Sequence, residues 1–556
     1  MTRRRFVRLV AAGGIVAASG VLAACEALRL PGTGPATLTP SGTAGGALKL
    51  PTYVPVASGP KPDLPGTADL EAAYFSFPTQ FYKSVKQTPA NGSDITVMTW
   101  TTGGPVIPLD DNAHWQAINK QTGANIKLVY VSNADYRPKF AATIAGGELP
   151  DVMYVADRTP IQQLPAFLKA SCADLTPYLS GDAIKNYPNL ANIPTDSWRS
   201  MVFGGGIYGL PVTFSPISAV HWVHLEMIEE AGARLPNNAD DYKRVLMQTT
   251  KPQAGVYGLA SYSAQAYGAD NFVYGAMFGA PNGWAADANG KLTSKYETDQ
   301  YRAAIGYVRD LVAAGVFHPN SPTYSVPSVR ADFANKKHVF GLQGWSAASV
   351  QFWDTGLKLN PPSKVRVVPP FAHDGGQASY FLGPRIFGFS ILKKGSPERI
   401  QEMLRLMDYF AAPFGSEEHL LLHYGVRDVD FTVDANGSPI LTAKGQAEVS
   451  SVWSYIVAPP PVLYDANASR DYATAMQDGE KSMLAVGVKD PTAFLYSDTA
   501  QSQQEVLRQK LVDGLNEIVQ SRQPLAQLDQ LVKDWRVTGG DQMRSEFEQA
   551  WRAAPT

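Results

Sequence analysis

The eight histidines of this 556-residue chain, His221 and His224 among them, form no His-Glu-x-x-His pair. The helix-borne zinc site of a metalloprotease is therefore missing as a motif. There is also no Gly-x-Ser-x-Gly turn and no Gly-x-x-x-x-Gly-Lys loop, the signatures of a serine-hydrolase nucleophile and a phosphate cradle. Asp110-Asp111 and Glu229-Glu230 are adjacent in sequence. Neighbours on a helix or strand point apart, so neither makes an acid/base pair across a substrate. Asp287-x-Asn289-Gly290 and Asp434-x-Asn436-Gly437 match the start of a calcium loop, but position twelve is Thr298 in one and Gly445 in the other. The glutamate that closes such a loop is absent, and Asn-Gly is a favoured tight turn. Both segments are expected to be hairpins, with no metal and no cofactor assigned to them, although a calcium site elsewhere stays open. Gly103-Gly104-Pro105 and Gly204-Gly205-Gly206 read as turn glycines. No catalytic residue is assigned.

Only two cysteines are present, Cys25 and Cys172, so no disulfide framework or cysteine-rich metal site is possible. Cys172 is expected to be a small buried apolar residue. Cys25 is different, because of what precedes it. Arg3, Arg4, Arg5 and Arg8 lead into an apolar run, Leu9 to Ala24, rich in small residues. That order of charge, apolar stretch and small residues is the order of a secretory signal peptide, and the run is shorter than the roughly 20 residues needed to span a bilayer. Thr2-Arg3-Arg4-Arg5-Phe6-Val7-Arg8 resembles the twin-arginine export pattern, and Leu22-Ala23-Ala24-Cys25 resembles the lipobox of bacterial lipoproteins. The resemblance implies cleavage before Cys25 and acylation of its sulfur, and two or more acyl chains anchor stably where one does not. Residues 1–24 are thus expected to be a signal peptide, with everything after Cys25 extracytoplasmic and tethered to a membrane.

The full chain has 45% hydrophobic and 18% charged residues and a formal net charge of -2, which becomes more negative once the four signal arginines leave. Without a basic patch, nucleic acid is not an expected partner. The length calls for two or more lobes. Residues 25–68 carry Pro31, Gly32, Gly34, Pro35, Pro40, Gly42, Gly45 and Gly46, a composition that reads as a flexible tether. Tyr74, Phe75, Phe77, Phe81 and Tyr82 follow, so 69–92 is expected to be an arm along the surface.

The spacing then predicts a strand at Ile95 to Trp100, a helix at 112–122 stopped by Gly123, a strand at Ile126 to Val131, a helix at 135–145 and a continuously apolar strand at 151–156. This alternation is that of parallel βαβ units, in which ligands sit beyond the carboxyl ends of the strands. Helices are expected at 225–232, 240–249, 301–315, 329–335, 503–520 and 524–535. Strands are expected at 339–342, 365–369 and 386–392. Ser396-Pro397-Glu398 should cap a helix over 398–410.

Gly146-Gly-Glu-Leu-Pro-Asp151 before a buried strand is similar to a signature segment of family 1 extracellular solute-binding proteins, the capture subunits of carbohydrate ABC importers. Gly206-Ile-Tyr-Gly-Leu-Pro211, Leu311 to Pro319, Phe333-Ala-Asn-Lys-Lys337, Leu421 to Val426 and Gly539 to Arg544 continue the match in order. The Tyr424-Gly425-Val426 block with Asp430 to Gly437 resembles the LplA-type lipoprotein branch. The resemblance implies an α/β, two-lobed periplasmic-binding-protein-like fold of type II, with a hinge of several crossings and a ligand cleft between the lobes. Carried onto this chain, lobe one is 93–212 plus 369–394, and lobe two is 213–368 plus 395–556. Crossings are expected near 211–213, 367–369 and 393–396.

Sugars present apolar faces and hydroxyl edges, so their sites use flat aromatic platforms bordered by planar polar groups. Trp100 and Trp345 end strands and are expected to reach ligand. Asp157 and Arg158 end the third strand. Trp222, Trp284, Tyr267 and Arg385 lie on segments that could line lobe two or the hinge, and Tyr424 and Trp453 lie in the branch-specific blocks. Trp535 and Trp551 are expected to be packing residues. The resulting expectation is a monomeric, lipid-anchored protein of the cell membrane's outer side that takes up a carbohydrate, an oligosaccharide by preference, and passes it to permease subunits unaltered. An extracytoplasmic glycoside hydrolase or lyase, or a sugar sensor or adhesin without transport, are the alternatives.

Overall fold

The computed structural model describes residues 48–101, 104–156, 161, 163–261, 263–270, 272–345, 352–353, 364–466 and 469–553. The signal segment, Cys25, Asp157 and Arg158 lie outside the described residues.

Among the described residues nine strands build the two larger sheets. In chain order they are β1 (Asp94–Thr101), β2 (Asn125–Ser132), β3 (Val152–Ala156), β4 (Leu210–Thr213), β5 (Ala219–His224), β6 (Tyr257–Ala260), β7 (His338–Gly344), β8 (Val365–Val367) and β9 (Ile386–Leu392). The first sheet has the order β2-β1-β3-β9-β4 and the second β8-β5-β7-β6. β1, β2 and β3 are parallel, and β9 runs against both β3 and β4. The alternation in β1 decides its two faces. Ile95 and Val97 enter one apolar core, Met98 and Trp100 the one on the other side, as the two-residue period of a strand requires. A sheet buried on both faces is what the uninterrupted apolar run of β3 demands.

The connecting helices start and stop where their sequence says. In α1 (Ala113–Thr122) the Asn112 side chain accepts from the Trp115 N–H at 2.8 Å, and Gly123 closes the helix with φ 67°; glycine takes that left-handed conformation without a Cβ penalty. α2 (Asn133–Gly146) and α3 (Leu164–Ser171) follow β2 and β3. α4 (Pro397–Phe410) opens on Ser396, whose hydroxyl accepts from the Arg399 N–H, with Pro397 in the first turn. After it come α5 (Glu417–Tyr424), α6 (Ser469–Leu484) and the long α7 (Asp498–Val519). Both Asp-x-Asn-Gly segments are hairpin turns, in which the aspartate Oδ1 accepts two backbone N–H groups. Cys172 is fully buried, and burial pushes its thiol up to about 12.

Three details of the boundaries differ from expectation. Residues from 48 onward are docked rather than free: the Thr52 N–H bonds Gly181 O and the Val54 N–H bonds Ala191 O. The arm is not superficial either, since Ala73, Tyr74 and Phe77 are buried and Ala72–Ala73 pairs in parallel with Val462–Leu463. Most of 395–457 belongs with the first lobe. Ile400, Met403, Leu404 and Met407 of α4, together with Trp453 and Ile456, share one core with Ile95 and Val97. A strongly amphipathic helix goes to whichever sheet face lacks cover, which position in the chain does not reveal.

The crossings move accordingly. The first runs from Thr213 to Ala219. The second lies at 383–386, because Tyr380 and Phe381 still pack in the second lobe. These two segments bind each other: the Phe214 N–H donates to Arg385 O at 3.0 Å and the Gly383 N–H to Pro216 O at 2.8 Å. The third is Ala458-Pro459-Pro460-Pro461-Val462, held to the first when the Thr213 hydroxyl donates to Ala458 O.

Candidate ligand cleft

Topology places the cleft. β4 ends at Thr213, opposite Ile386 at the start of β9, and Gly388 lies opposite Ala156, the end of β3. After the five residues that follow Thr213, β5 begins, and its Ala219 is opposite Gly344, the end of β7. Both sheets therefore turn the carboxyl ends of their parallel strands toward the hinge, where ligands of open α/β sheets collect.

On the first lobe this end carries a cluster of rings. Trp100 lies beneath it with 5% of its surface exposed, its centroid 5.2 Å from Tyr154, 5.4 Å from Tyr455 and 6.1 Å from Phe387, all edge-on. Phe387 leans on Phe214 at 5.2 Å and on Tyr455 at 5.9 Å. Phe214, Phe387 and Tyr455 are partly exposed. The buried Trp100 Nε1–H has no hydrogen-bond partner among the described residues. Apolar ring faces with a donor behind them can hold a molecule that is apolar on one side and hydroxylated at its edges.

The second lobe reaches across to this cluster. Tyr496, just ahead of α7, packs against the core that holds Trp100 and Tyr154. Its hydroxyl accepts from the Leu164 N–H at 3.2 Å, and Asp498 Oδ1 accepts from the Gln163 N–H at 3.0 Å. A carboxylate at the first N–H groups of α3 is favoured by the helix dipole. Burial and the Asp498 charge raise the Tyr496 hydroxyl far above its ordinary range, keeping it neutral. Lys489 beside the second crossing adds an ion pair to Asp196 of the first lobe at 2.7 Å. These contacts join the lobes directly. Asp498→Ala should remove charge-assisted bonds of about 1.5–3 kcal/mol and widen the molecule. Small-angle scattering reads this as a larger radius of gyration, and an unchanged radius would discard the bridge.

Most of the expected ligand contacts have other work. Trp345 is 1% exposed and stacks on the fully buried Trp222 at 6.0 Å and 21°, while Phe352 and Phe333 complete the layer. A strand-terminal indole beside an apolar layer is better buried there than in water. Trp222 Nε1–H donates to Gln343 O. Trp284 packs with Trp535 and Phe547 of the carboxyl-terminal helices. Tyr267, at φ 60°, sets its edge against Phe317 in the second lobe's core. Trp453 lies parallel to Phe410, 5.8 Å apart, within the first core. Tyr424 meets Phe77 edge-on and so holds the arm. Arg385 does sit at the hinge, but its guanidinium is 11% exposed and paired with Asp69 at 3.4 Å. Of the described candidates, only Trp100 belongs to the ring cluster. The sequence reading passed over Phe214, Phe387, Tyr455, Tyr496 and Asp498. The triple proline after Ala458 and the ends of β4 and β9 were the available signals for the first three.

The family profile of bacterial extracellular solute-binding proteins matches residues 109–411. The chain belongs to that family. This solute-binding protein is 22% identical over 460 residues to the polygalacturonan/rhamnogalacturonan-binding protein YtcQ of Bacillus subtilis, covering 79% of this chain and 87% of that one. It is 21% identical over 474 residues to the lipoprotein LipO of the same organism, with 81% and 91% covered. Among solved structures, an HMO-binding, ABC-transporter-associated solute-binding protein from Bifidobacterium longum infantis superposes with a TM-score of 0.62 at 13% identity, covering 83% of this chain and 99% of that one. The solved structural neighbours are two-lobed, as this chain is. Among the described residues no group of three or more His, Cys, Asp or Glu could hold a metal ion, and no helix is long and apolar enough to cross a membrane.

Proposed function

We propose that this chain captures a carbohydrate, an oligosaccharide by preference, outside the cytoplasm and delivers it unaltered to an ABC permease. The aromatic floor of Phe214, Phe387 and Tyr455 between the hinged lobes carries the reading, because three adjoining rings offer an extended platform to successive sugar units. A relative named for binding polygalacturonan and rhamnogalacturonan supports the substrate class. The sugar works by preferring one arrangement of the lobes, and the free energy of that preference sets how far closure shifts. No bond is broken in this scheme. Cys25 would carry the acyl chains that hold the monomeric body at the membrane, as the lipoprotein relative and the Leu-Ala-Ala-Cys segment suggest.

The decisive experiment incubates the purified full chain with a panel of neutral and acidic oligosaccharides. Melting temperature, calorimetry and mass spectrometry of the sugar are followed together. The expected result is one-to-one binding that raises the melting temperature by mass action, with the sugar recovered intact. Cleavage or lyase products would overturn the reading in favour of an enzyme.

A further inference from the structure

Residues 48–92 cross the hinge twice. They begin on the first lobe with the Thr52 and Val54 bonds already given, then pass to the second. There the Gln477 side-chain amide of α6 donates to Leu64 O, Pro65 O and Glu71 O at 3.4, 3.1 and 3.0 Å. Ala72–Ala73 pairs with Val462–Leu463 of the third crossing. The arm then returns: Phe77 packs between Phe414 and Tyr424, and Ser84 and Val85 donate to the Glu418 carboxylate of α5.

At the midpoint of this path two carboxyl groups meet away from water. Glu71 is 8% exposed and Glu480 of α6 fully buried, and the Glu71 N–H donates to Glu480 Oε2 at 3.1 Å. Ser215 of the first crossing and Trp345 reach the Glu71 carboxyl. Glu480 Oε1 has no partner among the described residues. The charged groups facing the pair are Asp69 on the arm and Arg385 on the second crossing, and these two are bonded to each other. On α6, Asp478 and Lys481 pair at the surface. One guanidinium, shared with Asp69, faces two buried carboxyls, and two like charges so close and so dry cannot both persist.

We propose that the arm is a releasable strap across the hinge, fastened by a proton that the Glu71–Glu480 pair must hold. Burial raises both carboxyls above their ordinary range, and the Glu71 charge raises Glu480 further. The sign follows. The docked arm binds a proton that the undocked arm gives up, so docking is complete below the ordinary carboxylate range and is lost as pH rises through the raised values. The Asp69–Arg385 pair parts with the arm and is not itself the switch. Once released, residues 63–73 leave α6 and the crossings with one tie fewer between the lobes.

Hydrogen exchange of the full chain without sugar, corrected for the intrinsic pH dependence of exchange, tests this. Protection of peptides within 63–76 should fall at least tenfold between about pH 5 and about pH 9, since release of one proton changes the docking equilibrium up to tenfold per pH unit. Protection of β1 should stay constant over the same range. Glu480→Gln keeps an acceptor for the Glu71 N–H and removes one titrating group, so it should flatten the arm's response. Glu71→Gln should do the same from the other side and serves if the first variant does not fold. Equal protection of the arm at both pH values in the unaltered protein overturns the proposal, as does an unchanged response in the folded variants.

Discussion

Trp222→Ala is expected to remove about 3–5 kcal/mol of stability, the range for deleting a large aromatic side chain from a well-packed interior. The indole has no exposed surface, stacks on Trp345, meets the edge of Phe352 and donates to Gln343 O. Removing it leaves a cavity bounded by rigid rings in the middle strand pair of the second sheet, with little slack for collapse. Urea unfolding followed by circular dichroism should show the midpoint falling with the slope nearly unchanged. A loss under about 1 kcal/mol would mean that the indole is not the core residue it looks to be and would reopen its candidacy as a ligand contact.

The second large effect belongs to the cleft. Phe387→Ala combined with Tyr455→Ala strips two of the three partly exposed rings and leaves Trp100 in place. Burying roughly 100 Å² of sugar face on such rings contributes about 2–3 kcal/mol at 25 cal/mol per Å², so affinity should fall about 30- to 100-fold, near 1.4 kcal/mol per tenfold. The sugar selected from the oligosaccharide panel, titrated by calorimetry into both proteins, gives the answer. Affinity within about threefold of the unaltered protein would move the binding surface elsewhere in the cleft. Thermal unfolding of the sugar-free variant should change far less than in Trp222→Ala, because both rings already face solvent in part.

The sheets were readable in the sequence because their cause is local. Strand periodicity, Ser396 as a cap and Gly123 as a stop each act within a few residues, and the structure follows them closely. Lobe membership was less accessible. Nothing in α4 says which sheet lacks a cover, so its apolar face was given to the wrong lobe. The tryptophans mislead for a related reason. An indole at a strand end satisfies a carbohydrate platform and an interior equally well, and Trp345 went inward because Trp222 and Phe352 offered it a matching surface. Tyr455 and Phe387 were missed because their importance depends on which distant segments approach them. They lie 68 residues apart in the sequence and meet only where the crossings converge.

The three crossings are not equally pliable. Pro459, Pro460 and Pro461 each have φ fixed by the ring and no N–H to exchange, and such a run behaves as a short rod with a set rise per residue. The first and second crossings carry a single proline each, Pro216 and Pro384, so their other residues retain both backbone torsions and must absorb most of any lobe movement. A rod on one side and two pliant ribbons on the other constrain the body to swing like a door on a fixed post, not to slide one half past the other.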